Sequence, residues 1–328
     1  MTTFITGATT DLGRVLVREM VQQGEALRLL VRADSNRSGL ELPGVEFIRG
    51  DIGDAVAVRK GMTGCDRVCH LAGLDTSPTT MNGDIHHDLA RLVMQAAQDM
   101  RVGSVVHVSD LRLLNPSGAD ADAADETHTV DPARLNKPLK SRHAADAVAR
   151  EFAAKGLPVK LVYPGLGYGY VRAPGQGGLA AWTLLQFANG GAATIPGNGR
   201  TRLPVAYFKD TAQGIRLAHE RGRSGEGYIL VGETLTWPQL WAAIADVLGQ
   251  DIPTRQTPLW LARVMAALPA EVLDLCVRDW HVSAEKARRE LGWRPLSFRD
   301  GIAETWEEYA ALGMDKRTAT PERAMRRA

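Results

Sequence analysis

The sequence predicts an α/β protein on a doubly wound parallel sheet, followed by a smaller C-terminal α/β region. Three observations carry this. Short apolar runs alternate with stretches of helical period through the first half of the chain. The first run ends in a glycine-bearing turn, Gly7 to Gly13, from which a helical pattern departs. The alternation loosens after Tyr170, where Gly and Pro become frequent. Strands separated by helices form parallel βαβ units rather than hairpins.

The first strand is expected over Thr3–Thr6, and from Gly13 the residues Val15, Leu16, Val17 and Met20 recur near a 3.6 period. Further strands are expected at Leu27–Val31, Val45–Ile48, Arg67–Leu71, Val105–Val108 and Val159–Val162. Helices are expected at Leu89–Met100 and Lys137–Lys155. Beyond Tyr170 a Gly/Pro-rich loop (172–178) precedes a helix at Trp182–Ala188. Strand Val205–Phe208 and helix Asp210–His219 resume the earlier pattern. Helices at Thr236–Leu248, Ser283–Leu291 and Gly301–Leu312 close the ordered chain. Residues 115–131 form a long loop rich in Ala and Asp, a length that often serves function.

The chain of 328 residues has ample length for a buried core, and 45% apolar with 23% charged residues is an ordinary globular balance. A formal net charge of +1 provides no global field for nucleic acid or an anionic membrane. The three cysteines, Cys65, Cys69 and Cys276, are too few and too oddly spaced for a disulfide framework or a four-ligand metal site. The adjacent pair His86-His87 lacks a carboxylate set, so no metal is expected. The start reads as no signal peptide and no run of apolar residues spans a bilayer, so a cytoplasmic protein is expected.

The segment Gly7-Ala8-Thr9-Thr10-Asp11-Leu12-Gly13 follows a strand and opens a helix. Backbone N–H groups at such a helix start, with the helix dipole, suit a dinucleotide pyrophosphate. The second strand ends in Arg32 rather than an acid, with Arg37 nearby. An acid there binds a ribose 2′-hydroxyl, whereas arginine accommodates a 2′-phosphate, so NADP is expected in preference to NAD.

These motifs resemble those of extended short-chain dehydrogenases/reductases, the NAD-dependent epimerase/dehydratase family. That family carries Thr-Gly-x-x-Gly-x-x-Gly, and this chain has Thr6-Gly7-x-x-Thr10-x-x-Gly13. Thr10 replaces the glycine that admits the pyrophosphate, and its branched side chain crowds that approach. His70-Leu71-Ala72-Gly73 is similar to the family's His-Leu-Ala-Ala loop, and Tyr163-Pro164-Gly165-Leu166-Gly167-Tyr168-Gly169 to its Arg-Pro-Gly-x-x-Tyr-Gly. Lys286-Ala287-Arg288-Arg289-Glu290-Leu291-Gly292-Trp293-Arg294-Pro295 matches its C-terminal Lys-Ala-x-x-x-Leu-Gly-Trp-x-Pro. The resemblance implies a Rossmann-like unit over 1–170 and a mainly substrate-binding region over 171–314 with 203–220 returning to the first unit; the tail at 315–328, rich in Arg and Thr, is expected to be flexible. It implies a cofactor shell of Thr6, Gly7, Thr9, Thr10, Leu12, Gly13, Arg32, Asp51, Ile52, Leu71, Ala72, Gly73, Arg142, Pro164 and Gly165. It also implies a small-molecule substrate and a homodimer through two central helices.

The same resemblance exposes a gap. The family uses a Ser or Thr after the fifth strand, then Tyr-x-x-x-Lys on the next helix. Here that helix reads Lys137-Pro138-Leu139-Lys140-Ser141-Arg142-His143, which puts Pro138 at the Tyr and Arg142 at the Lys. The active hydroxyl falls on Leu111. Proline has no acid/base group, and arginine stays charged and relays no proton. Substitutes are Ser109 or Asp110 at the end of the fifth strand, Arg142, His143 and Tyr168. The expected function is an atypical NAD(P)-dependent oxidoreductase or epimerase-like enzyme. The alternatives are a non-redox enzyme (lyase, cyclase, isomerase or hydrolase) or a non-catalytic dinucleotide- or metabolite-binding protein on the same fold. Trp182, Trp237, Trp241, Trp260 and Trp280 are candidates to line a substrate pocket, or to pack.

Overall fold

A computed structural model describes residues 1–71, 85–114, 123–171, 178, 184, 185, 187, 188, 190, 191, 193–252, 254–258 and 278–313. Seven short strands build the central sheet: β1 (Thr2–Thr6), β2 (Ala26–Val31), β3 (Val45–Arg49), β4 (Arg67–His70), β5 (Ser104–Val108), β6 (Val159–Pro164) and β10 (Gly227–Leu230). Their order is β10-β6-β5-β4-β1-β2-β3 and every pairing is parallel. The central strands are buried on both faces, the mark of a sheet covered by helices on two sides. The chain runs outward from β1 to β3, then crosses to β4 and runs the other way. At that reversal the carboxyl ends of β1 and β4 open a crevice, the usual ligand site of such sheets.

Helix α1 (Asp11–Gln22) turns Leu12, Val15, Leu16 and Met20 onto the sheet. Helices α2 (Ala55–Met62), α3 (Ile85–Asp99) and α4 (Lys137–Ala154) pack in a row, and α5 (Phe208–Arg221) packs on α1. Two helix starts are explained by their caps. The Asp54 carboxylate accepts from Val56 and Ala57 N–H, which starts α2, a helix the apolar period does not announce. Asn136 caps α4 and Pro138 sits in its first turn, so the proline at the family's tyrosine position serves helix initiation. Helix α3 begins at Ile85, four residues before the expected start.

Beyond β6 the strands form two small sheets. β7 (Leu166–Tyr168), β9 (Arg202–Tyr207) and β11 (Glu233–Thr236) make one, ordered β11-β9-β7. β8 (Ala193–Pro196) and β12 (Thr254–Thr257) make the other. Of the stretch 203–220, α5 packs against α1 while β9 lies in the three-stranded sheet; the strand that joins the central sheet is β10. A second apolar core gathers Leu166, Tyr168, Phe187, Trp237, Trp241 and Phe298 among others, with helices α6 (Trp237–Leu248) and α7 (Phe298–Ala311). Trp237, Trp241 and Trp280 are buried in the cores, while Trp182 and Trp260 lie outside the described residues, as does Cys276. The tail from Asp315 lies outside them too.

The described part of the long loop is tied down at both ends. Val130 N–H donates to Leu113 O, and Ala124 N–H to His281 O. The buried Glu126 carboxylate accepts from Ile229 N–H at 2.8 Å, which satisfies a donor on the edge strand β10. Among the described residues no helix is long and apolar enough to cross a membrane.

Candidate dinucleotide and catalytic site

The turn between β1 and α1 is tight enough to demand glycine at two places. Gly7 takes φ 74°, in the left-handed region. A Cβ on Gly13 would stand 2.3 Å from Gly7 O, so only hydrogen fits between the loop and the helix. Thr10, at the position of the family's middle glycine, is the N-cap of α1. Its Oγ1 donates to Gly7 O at 2.8 Å and accepts from Gly13 N–H at 3.1 Å. The replacement therefore tightens the turn and occupies an amide of the helix start.

The other expected cofactor positions that are described lie on β1, after β2, in the turn after β3, just after β4, at the end of β6 and, for Arg142, on α4. Thr6 is buried and its Oγ1 lies 2.8 Å from His70 Nδ1, within the sheet. Arg14, one residue past the motif, is buried and donates to Thr9 O at 3.2 Å, to Asn36 O at 2.6 Å and to Ser38 O. Arg32 follows β2 in an exposed position, 3.4 Å from Asp34. The Arg37 guanidinium lies over the Phe47 ring, 5.2 Å from its centre. Asp51 accepts from Gly53 N–H at 2.9 Å, which shapes the turn after β3, and Ile52 packs at the edge of the core. Leu71 is buried and its N–H donates to Thr6 O. Ala72 and Gly73 lie outside the described residues. Pro164 ends β6, and a Cβ on Gly165 would meet Pro204 O at 2.3 Å, so Gly165 lets the central sheet and β9 approach.

At the carboxyl end of β5 the chain builds an ionic cluster. Asp110 accepts from Arg112 Nε at 2.9 Å and Nη2 at 2.6 Å, a two-pronged pair, and from Arg142 Nη1 at 2.5 Å. It also caps the short 3₁₀ turn Leu111–Leu113 by accepting from Arg112 N–H. Burial alone would raise the Asp110 pKa, but the Arg112 and Arg142 guanidiniums outweigh it and hold the carboxyl far below its usual range. Arg142 Nε is buried with no hydrogen-bond partner among the described residues. His143, the next residue on α4, is partly exposed and points away by the 100° step of the helix.

One turn further along α4, Asp146 collects a second network. Ser109 Oγ lies 2.7 and 2.8 Å from its two oxygens and Tyr163 Oη donates to it at 2.9 Å. His107 Nε2 stands 3.2 Å from Asp146 Oδ1, and Arg150 donates to Tyr163 Oη at 3.1 Å. Burial, then the Asp146 charge, holds the Tyr163 hydroxyl well above its ordinary pKa. Ser109 is thus committed to a buried carboxylate.

Residues 3–232 match the model of the NAD-dependent epimerase/dehydratase family. The chain belongs to that family. It is 28% identical to sterol demethylase protein B of Methylococcus capsulatus, over 96% of this chain and all of that protein. It is likewise 28% identical to the 4-hydroxy-2-methyl-3-oxo-4-farnesyl-3,4-dihydroquinoline-1-oxide ketoreductase of Stigmatella aurantiaca, over 89% of this chain and 92% of that one. Among solved structures, a dTDP-glucose 4,6-dehydratase of Streptomyces venezuelae with NAD bound superposes with a TM-score of 0.75 at 25% identity, covering 95% of this chain and 97% of its own.

Within this family member the expected catalytic candidates separate. Asp110 and Arg142 come together at the carboxyl end of β5, with Ser109 bound to Asp146 and His143 the next residue on α4. Tyr168, expected on the nicotinamide side, differs. Its ring stacks on Tyr207 at 5.4 Å and meets Phe298 edge-on at 4.9 Å in the second core, and burial holds its hydroxyl well above the usual pKa. Sequence reading missed Arg112, Asp146 and Arg14. Asp146 carried a readable signal, lying four residues after Arg142 on the same helix face. Tyr163 bridges Asp146 and Arg150.

Proposed function

We propose that this chain is an NAD(P)-dependent oxidoreductase or epimerase-like enzyme of a small molecule, with NADP preferred over NAD. The observation that carries the reading is the cradle after β1. Gly13 leaves no room for a Cβ against Gly7 O, Thr10 caps α1, and the exposed Arg32 follows β2, where a 2′-phosphate would lie. The residues present fit a dinucleotide, which when bound supplies hydride transfer. Gly7, Thr9, Thr10, Leu12 and Gly13 would hold the pyrophosphate, and Arg32 the 2′-phosphate. Asp51 and Ile52 would border the adenine. Thr6 would support the loop from within the sheet, while Leu71, Ala72, Gly73, Pro164 and Gly165 would flank the nicotinamide half.

Arg142 would grip the nicotinamide ribose, with Asp110 and Arg112 fixing its guanidinium. Neither Asp110, held ionised, nor Arg142, always charged, donates a proton at neutral pH. The relatives named for a sterol demethylase and a ketoreductase support a small-molecule substrate. A homodimer through α3 and α4 belongs to the same reading.

The test is titration of the full chain with NADPH and NADH by fluorescence or calorimetry. Micromolar binding that favours NADPH and weakens in Arg32→Ala bears the reading out. A folded protein that binds neither nucleotide overturns it. A second reading, a dinucleotide-binding protein without hydride chemistry, is favoured by Pro138 and by the fully paired Asp110. It predicts tight NADPH binding with no oxidation of the nucleotide across a panel of carbonyl substrates.

A further inference from the structure

Arg14 is a buried cation with an unusual set of partners. It is 4% exposed, yet its three contacts are all main-chain carbonyls: Thr9 O in the first turn, and Asn36 O and Ser38 O in the loop after β2. The nearby carboxylate that acts on it, Asp11, does so through space rather than by a hydrogen bond to the guanidinium. A buried charge is costly to keep and arginine does not shed its proton; the Asp11 carboxylate, close enough to act on it, offsets part of that cost. The cost falls further if a second anion approaches the site.

The position of the three carbonyls matters. Thr9 belongs to the turn that would take a pyrophosphate. Asn36 and Ser38 flank Arg37, so one guanidinium grips the chain on both sides of a second arginine. The Arg37 side chain leans on Phe47, and Arg32 N–H is tied to Ser35 Oγ at 3.2 Å within the same loop. Arg14 thus joins the two halves of the nucleotide cradle and sets where Arg32 and Arg37 stand. Its five N–H groups in a planar fork suit this bridging, which a lysine cannot reproduce.

We infer that Arg14 is the positioning residue that makes this cradle selective for a dinucleotide bearing a 2′-phosphate. It does so by pinning the Asn36–Ser38 loop that carries Arg37 to the first turn. The inference rests on the dinucleotide reading above.

The experiment compares NADPH and NADH affinity of wild type, Arg14→Met and Arg14→Lys. Loss of the bridge should weaken NADPH by about tenfold or more and NADH by less than about threefold in Arg14→Met, with Arg14→Lys between wild type and Met. Equal loss of both nucleotides would reduce Arg14 to a support of the first turn and overturn the selectivity claim, as would an unchanged preference. On wild type alone, NADPH should slow amide exchange across residues 36–40 and NADH should not. That comparison decides the matter even if the variants fail to fold, and equal protection by both nucleotides overturns it. A wild-type chain that binds NADPH selectively but keeps that selectivity in Arg14→Met sinks only this inference. A folded wild-type chain that binds neither sinks the dinucleotide reading and this inference with it.

Discussion

Arg142 reaches Asp110 across 32 residues of sequence and donates to it at 2.5 Å, joining the fourth helix to the end of the fifth strand. The family's lysine position therefore carries a cation whose direction is set by a carboxylate rather than left free. Arg112 holds the other side of that carboxylate, so one buried anion serves two guanidiniums.

Asp110→Asn should destabilise the chain by about 3–5 kcal/mol, because it leaves two cations facing each other without their shared anion. Urea unfolding at neutral pH measures this. The wild-type contribution has a defined pH window. Since the folded pKa is depressed below the unfolded value, the stability is present above about pH 4 and is lost as pH falls below it. A mutant that keeps the acid sensitivity of wild type would refute the assignment.

Asp210 behaves in the opposite sense. Burial lifts its pKa to about 6, partly offset by the Leu296 N–H at 2.9 Å and reinforced by Glu304. It lines a cleft of about 320 Å³ with Glu19, Lys209 and Glu304. A raised folded pKa in an acid means stability is lost as pH rises from about 4 to about 6. Asp210→Asn should remove that slope and raise stability at pH 7 by on the order of 1–2 kcal/mol, allowing for partial exposure. Thermal unfolding at pH 5 and pH 7 shows whether the mutant curve flattens.

Thr10→Gly should raise dinucleotide affinity at a cost of a few tenths of a kcal/mol in stability, because it frees Gly13 N–H and removes a branched side chain from the turn. Gly13→Ala should do the reverse and abolish binding, since its Cβ would fall 2.3 Å from Gly7 O. Calorimetric titration with NADPH separates the two. A Thr10→Gly protein that binds no better would show that the threonine does not obstruct the nucleotide.

Asp146→Ala should cost on the order of 3–5 kcal/mol, since the Ser109 and Tyr163 hydroxyls lose their buried acceptor. Tyr163→Phe, which removes one donor, should cost only about 1 kcal/mol. Equal losses from the two substitutions in denaturant unfolding would mean Asp146 is not the shared acceptor.

The parallel sheet was legible because its strands are short, apolar and separated by helical periods, which leaves few other folds open. The cradle was legible because Gly7 and Gly13 answer a local steric demand. Helix α2 was not, because Asp54 and a mixed apolar face start it without a strong period. Strand β10 was missed because its four residues become a strand only by pairing with β6.

The amino-acid sequence by itself determined the fold class, the nucleotide turn and the absence of a tyrosine at Pro138, because each depends on residues close together in the chain. Only the tertiary structure decided that Arg142 meets Asp110, that Tyr168 is buried in the second core, and that Arg14 clasps the loop after β2. Those contacts join segments distant in sequence. Their energies arise when folding excludes water and brings charges within hydrogen-bonding distance, which no local pattern records.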